Sequence, residues 1–169
     1  MIKKVEKNNI SECAKVIRDS FFTVAEEFGF TIENAPRFTA FSVTEERLLW
    51  QLNNEHRPMY AYYKEGNIIG YYSLLLLEDN ECELNNLCVL PPYRHMGTGE
   101  KLLHNAFQEA ENLGCVKIKI GIVEENTVLR KWYETFGFVH TKTEKYDFFP
   151  FTCGYMEKSL RPTACSPAL

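Results

Sequence analysis

Apolar side chains first recur at helical spacing between Ile10 and Phe28, at Ile10, Cys13, Ala14, Ile17, Phe21, Val24, Ala25 and Phe28. Residues three or four apart share one side of a helix, so this set predicts an amphipathic helix that ends near Gly29. A short strand over residues 2–5 precedes it. The segment 30–43 reads as a loop holding Pro36, Phe30, Phe38 and Phe41, with Phe28 just before it. Ser42-x-x-Glu45 has the form of a capping box and predicts a second helix through Trp50 to about Leu52.

The pattern then turns to strands. Met59–Tyr63 and Ile68–Leu77 are joined by Lys64-Glu65-Gly66-Asn67, which is hairpin chemistry. A turn at Glu78-Asp79-Asn80 leads into a strand over Glu81–Leu90. In that strand Cys82 and Leu84 occupy even positions, whereas Leu87 and Val89 occupy odd ones. Strand side chains alternate faces, so one face holds both pairs only if a residue is inserted. A β-bulge at Asn85-Asn86 would do this, and bulges bend strands beside active sites. A strand buried on both faces is the other reading of the same pattern.

Leu102, Leu103, Ala106, Ala110 and Leu113 form a helical stripe within residues 100–113, closed by Gly114. Val116–Val123 is the next strand, and the strand–helix–strand order implies a parallel pair with a right-handed crossover. Asn126 caps a short helix with Leu129, Trp132, Tyr133 and Phe136 inward, ending at Gly137. Phe138–Tyr146 and Phe151–Leu160 follow as an antiparallel pair. The expectation is an α+β fold: a mixed, mostly antiparallel sheet of about seven strands and about four helices. One domain spans residues 1–160, and residues 161–169 form a frayed tail.

Composition narrows the chemistry. The 169 residues carry a net charge of −4, which argues against nucleic acid as a partner. No apolar run approaches the ~20 residues that span a bilayer, and Met1–Glu6 lacks the apolar core of a secretory signal. The six cysteines form no CxxC pair and no zinc-type spacing, so no metal is expected and a reduced, cytoplasmic protein is the plain reading.

The candidate chemistry centres on Arg94-His95-Met96-Gly97-Thr98-Gly99, between a strand and a helix. Glycines allow a tight turn and close approach of the backbone to a ligand. A helix that starts here presents unpaired N–H groups and the positive end of its dipole, a ready cradle for a diphosphate. Arg94 is expected to add its charge at the mouth. The dinucleotide fingerprint needs a third glycine where Leu102 stands, and the P-loop needs Gly-Lys-[Ser/Thr] where Gly99-Glu100-Lys101 stands.

Leu87-Cys88-Val89-Leu90-Pro91-x-x-Arg94-x-x-Gly97-x-Gly99 resembles the strand-and-loop motif of the GCN5-related N-acetyltransferase (GNAT) superfamily. Asn126…Tyr133…Gly137-Phe138 resembles that family's later motif, and the order of elements over residues 2–160 agrees. The resemblance implies a central parallel pair of strands splayed by the bulge, with acetyl-CoA held between them. It assigns the diphosphate to the amides of His95, Met96, Gly97, Thr98 and Gly99 with Arg94, and the pantetheine arm to the main chain of Leu87, Cys88 and Val89. Asn126 would touch the coenzyme, although its cap alone accounts for it.

The same resemblance makes Tyr133 the general acid at the leaving sulfur, against a plain core aromatic. Glu83 becomes the candidate base for the amine, against a solvated carboxylate like Glu81, or a water chain in its place. Acyl transfer through Cys88 is not required. The implied activity is direct acetyl transfer to a primary amine of a small molecule or peptide, and homodimers are common in the family. A catalytically silent acyl-CoA-binding module and a transferase of longer acyl chains are the alternatives. The aromatic loops, with Glu26, Glu27 and Glu33 nearby, would suit a protonated amine with apolar bulk, or would simply pack.

Overall fold

The computed structural model describes residues 1–161, so the expected tail and Cys165 fall, beyond Arg161, outside the described residues. Seven strands form a single mixed sheet in the order β1-β2-β3-β4-β5-β7-β6. They are β1 (Ile2–Lys4), β2 (Met59–Lys64), β3 (Asn67–Leu76), β4 (Glu81–Val89), β5 (Lys117–Val123), β6 (Val139–Lys145) and β7 (Thr152–Ser159). Among the described residues, only β4 and β5 pair in parallel. The helices are α1 (Ile10–Phe28), α2 (Thr39–Ser42), α3 (Glu45–Asn53), α4 (Thr98–Asn112) and α5 (Thr127–Thr135). None is long and apolar enough to cross a membrane.

Among the described residues, five α-helices stand where about four were expected, because the 30–43 loop contains the short α2. Its last residue is Ser42, which therefore cannot cap α3. Val43 and Thr44 are extended, and Thr44 Oγ1 accepts from the Arg47 amide at 3.1 Å. The cap must come from a residue with extended backbone, and Ser42 is still helical.

The sheet is covered on both faces, which explains the nearly continuous apolar run of β3. Tyr72 and Leu74 join Leu102, Leu103, Ala106 and Ala110 of α4 in one buried cluster. Ile68 and Tyr71 join Ile10, Cys13, Ala14 and Ile17 of α1 on the opposite face. Tyr60 and Tyr72 stack at 5.0 Å and reach past the apolar layer to Glu109 (2.8 Å) and Asn105 (2.6 Å) of α4. Buried tyrosine needs such a partner for its hydroxyl.

The parity break in β4 is a bulge. Between the pairs Tyr71↔Cys88 and Ser73↔Asn85, β3 advances by two residues while β4 advances by three. Asn86 absorbs the insertion in the left-handed region, at φ 54°. As a result Cys82, Leu84, Leu87 and Val89 all face the α4 cluster, and Cys88 faces α1. Gly70 sits against this kink. A Cβ there would lie 2.8 Å from Leu102 Cδ1 and 3.0 Å from the Cys88 carbonyl oxygen. Gly70→Ala is expected to destabilise the fold by about 1–3 kcal/mol, read as a lower urea midpoint at unchanged slope.

Candidate active site

The parallel pairing of β4 with β5 lasts only from Glu81↔Lys117 to Glu83↔Lys119. Beyond it, β4 runs on to Val89 and β5 to Val123, with no pairing between them. The bulge turns β4 away, and the two edges open into a slot. Leu90 N–H donates to the Ile69 carbonyl at 2.9 Å, so β4 faces β3 at that residue. Strand alternation then turns the N–H groups of Leu87 and Val89 into the slot and that of Cys88 toward β3.

After β4 and a 3-10 turn at Pro91–Tyr93, the loop 94–97 leads straight into α4. His95 (φ 60°) and Gly97 (φ 80°) both have left-handed backbone, and no side chain caps the helix. Among the described residues, the amides of 95–99 make no hydrogen bond. They form a concave row of donors at the positive end of a 15-residue helix.

Arg94 does not stand at the mouth. Its Nε donates to the Val89 carbonyl at 2.9 Å, and its two terminal nitrogens donate to Thr23 Oγ1 at 2.9 Å and the Ser20 carbonyl at 2.8 Å. All three bonds point inward, so its side chain ties the loop to α1 instead of presenting a charge to a ligand. The sequence gives the type of charge; only the fold gives its direction.

Gly97 carries a testable load. A side chain there would meet nothing within 4 Å but would strain the left-handed backbone, at about 1 kcal/mol. Gly97→Ala is expected to weaken coenzyme A binding about fivefold or more, measured by calorimetry. Gly66→Ala is the control: Gly66 has a similar φ of 85° and open surroundings but lies in the β2–β3 turn. It should cost similar stability and leave the affinity alone.

Asn126 caps α5 through Oδ1, which accepts from the Leu129 amide at 3.2 Å. Tyr133, two turns on, is buried between Trp132 (4.9 Å) and Phe138 (5.3 Å). Its hydroxyl has no hydrogen bond among the described residues. Burial, with the neighbouring Cys88 thiol, pushes its pKa above the usual phenol value. Cys88 is buried too, and burial pushes its thiol up to about 12, so it is protonated and a poor nucleophile at neutral pH.

Glu81 and Glu83 point the same way from β4 but meet different partners. Glu81 is paired with Lys117 at 3.4 Å and with Lys119, and hydrogen bonding to Lys119 lowers its pKa. Glu83 forms no ion pair among the described residues; it accepts only from Asn85 Nδ2, at 2.6 Å. Asn85 Oδ1 in turn accepts from Arg57 at 2.9 Å. Glu83, Asn85 and Asn86 line a cavity of about 250 Å³ under α2 and α3. A second, mostly apolar cavity of about 210 Å³ lies over the end of β5, lined by Ile122, Asn126, Leu129, Phe149 and Tyr155. Arg37 and Thr39 border both.

The aromatic loops pack on each other. Phe30 meets Phe38 at 5.0 Å and Phe151 at 4.8 Å, and Phe149 stacks on Phe151 at 4.5 Å. This cluster staples the α1–α3 connection to the β6–β7 connection. Glu26, Glu27 and Glu33 are exposed and line neither cavity. Arg47, Gln51 and Arg57 do line one, and no local sequence signal marks them; they meet Glu83 only through tertiary packing.

The sequence profile described as the acetyltransferase (GNAT) family matches residues 22–138. The chain belongs to this family. An uncharacterized N-acetyltransferase of Mycobacterium bovis is 26% identical over 106 residues, covering 63% of this chain and 68% of that protein. The ribosomal protein bS18-alanine N-acetyltransferase of Haemophilus ducreyi is 27% identical over 99 residues, covering 59% and 67%. Among solved structures, the PaiA N-acetyltransferase of Thermoplasma acidophilum in complex with coenzyme A superposes with a TM-score of 0.77. It is 21% identical and covers 94% of this chain and 98% of its own. The GNAT domain thus includes the bulge, the slot, the 95–99 amides, Asn126 and Tyr133, and the chain is an N-acetyltransferase by family.

Proposed function

We propose that the chain binds acetyl-CoA in the β4–β5 slot and transfers the acetyl group directly to a primary amine. The observation that carries this reading is the open slot with a row of unpaired amides at one end and Glu83 across the bulge. The donors fit a diphosphate: they are backbone amides on a helix N-terminus, which suits anionic oxygens. The N–H groups of Leu87 and Val89, turned into the slot by strand alternation, fit the amides of a pantetheine arm, as a strand edge pairs with an added strand.

Acetyl-CoA, when bound, supplies an activated thioester. The amides of residues 95–99 hold its negative charge. Glu83 takes a proton from the acceptor's ammonium group, whose free pKa lies near 10, and the freed amine forms the new C–N bond as the thioester C–S bond breaks. Asn85 holds Glu83 Oε1 and leaves the other carboxylate oxygen for the amine or a bridging water. The Tyr133 hydroxyl, kept protonated by burial, donates to the departing sulfur. The buried, protonated Cys88 supports direct attack over a covalent acyl-cysteine. A relative such as the Salmonella typhimurium aminoglycoside N(6′)-acetyltransferase, 26% identical over 110 residues, is likewise named for transfer to nitrogen.

Calorimetry with acetyl-CoA tests binding, and no heat at millimolar ligand would end the reading. An amine screen that detects released coenzyme A tests transfer. Binding with no release from any amine would favour the silent binding module.

A further inference from the structure

The cavity beside Glu83 is lined by three guanidinium groups, Arg37, Arg47 and Arg57, against a single carboxylate. That excess of positive charge stands out in a chain of net charge −4. Arg57 is only 8% exposed and is spoken for, since Glu55 and Asn85 hold its guanidinium. Arg37 stacks over the Phe148 ring at 4.3 Å. Neither Arg37 nor Arg47 has a carboxylate partner among the described residues. Gln51, 6% exposed, lines the same cavity, and its buried side-chain oxygen has no hydrogen-bond donor. The cavity therefore offers two cations without a carboxylate partner among the described residues, one carboxylate and one unsatisfied acceptor.

We propose, resting on the acetyltransferase reading above, that the acceptor is a small amine that also carries an anionic group, a carboxylate or a phosphate. Glu83 and the Gln51 oxygen take the amine, and Arg47 with Arg37 takes the anion. Guanidinium groups match both anions in geometry and stay charged at all working pH values. A purely cationic acceptor would face repulsion from the same two groups. The cavity is not the coenzyme's phosphate site, because it shares no lining residue with the 95–99 loop. Its volume of about 250 Å³ lies just below the ~300 Å³ at which ligand pockets usually begin, which suits an amino-acid-sized molecule and nothing much larger.

The test compares released coenzyme A for glycine and alanine, their methyl esters, O-phosphoethanolamine, ethanolamine and 1,4-diaminobutane. The anionic amines are expected to exceed their uncharged counterparts at least tenfold in kcat/KM. Whether the amino acids or the phosphoamine lead decides between carboxylate and phosphate. Arg47→Ala, at an exposed position of α3, should collapse that ratio toward one, mainly through KM. Esters or the diamine matching the anionic amines would overturn the proposal while leaving the acetyltransferase reading intact. So would an Arg47→Ala loss equal for all acceptors. If no amine is turned over, that reading fails separately, and calorimetry of alanine against its methyl ester, with coenzyme A present, decides this one. Tighter binding of alanine supports it, and equal or weaker binding overturns it.

Discussion

Tyr133→Phe is expected to lower kcat about a hundredfold or more while the dissociation constant for coenzyme A stays within about twofold. The ring supplies the packing against Trp132 and Phe138, and phenylalanine keeps that ring. Only the hydroxyl is lost, and it bonds to nothing else among the described residues, so the melting temperature should move little. The departing thiolate is the conjugate base of a thiol with a pKa near 8.5. Burial raises the Tyr133 phenol above its ordinary value, so it still carries its proton as the pH climbs toward 10. The parent rate should accordingly show no descending limb from Tyr133 below about pH 10. Single-turnover measurement of thiol release separates chemistry from product release, and equal rates for parent and variant would remove the acid role.

Glu83→Gln should change the shape of the pH profile more than the fold. Glutamine keeps a carbonyl oxygen for Asn85 Nδ2, so the cavity stays in place and the base alone disappears. In the parent, kcat/KM should vary little between about pH 6 and 8, because the enzyme takes the ammonium proton itself. In the variant it should rise about tenfold per pH unit, tracking the small fraction of free amine. Glu81→Gln is the comparison. It breaks the contacts to Lys117 and Lys119 and should leave the pH profile with the parent's shape. A Glu83→Gln profile parallel to the parent's would assign deprotonation to a water chain.

These two glutamates mark where reading along the chain stops. They lie two residues apart on one strand face, with the same side chain and similar neighbours. What separates them is that Lys119, opposite Glu83 in the parallel register, reaches back to Glu81. Arg94 is a second case. Its guanidinium carries a permanent charge wherever it sits, but the acceptors that turn it inward come from α1, more than 70 residues earlier. The aromatic residues are a third. Whether Phe30, Phe38 and Phe151 line a pocket or fill one depends on two loops that meet only in the folded chain.

The parity switch at Asn85-Asn86 was legible because strand side chains alternate with a fixed period, so an inserted residue leaves a mark in the apolar pattern itself. The helices and strands were legible for the same reason: a period of 3.6 or of 2, with Gly29, Gly114 and Gly137 closing helices in the left-handed region. Such signals are local, set by backbone geometry over a few residues. They suffice for the order of the strands and the longer helices, the bulge and the glycine loop, but not for the four-residue α2, too short to show a period. The arginine-lined cavity is of another kind. Arg37, Arg47, Gln51 and Arg57 precede Glu83 by 26 to 46 residues, and they acquire a common ligand surface only when α2 and α3 close over β4. Periodicity records which way a side chain leaves its own element; only packing between elements decides what it meets there.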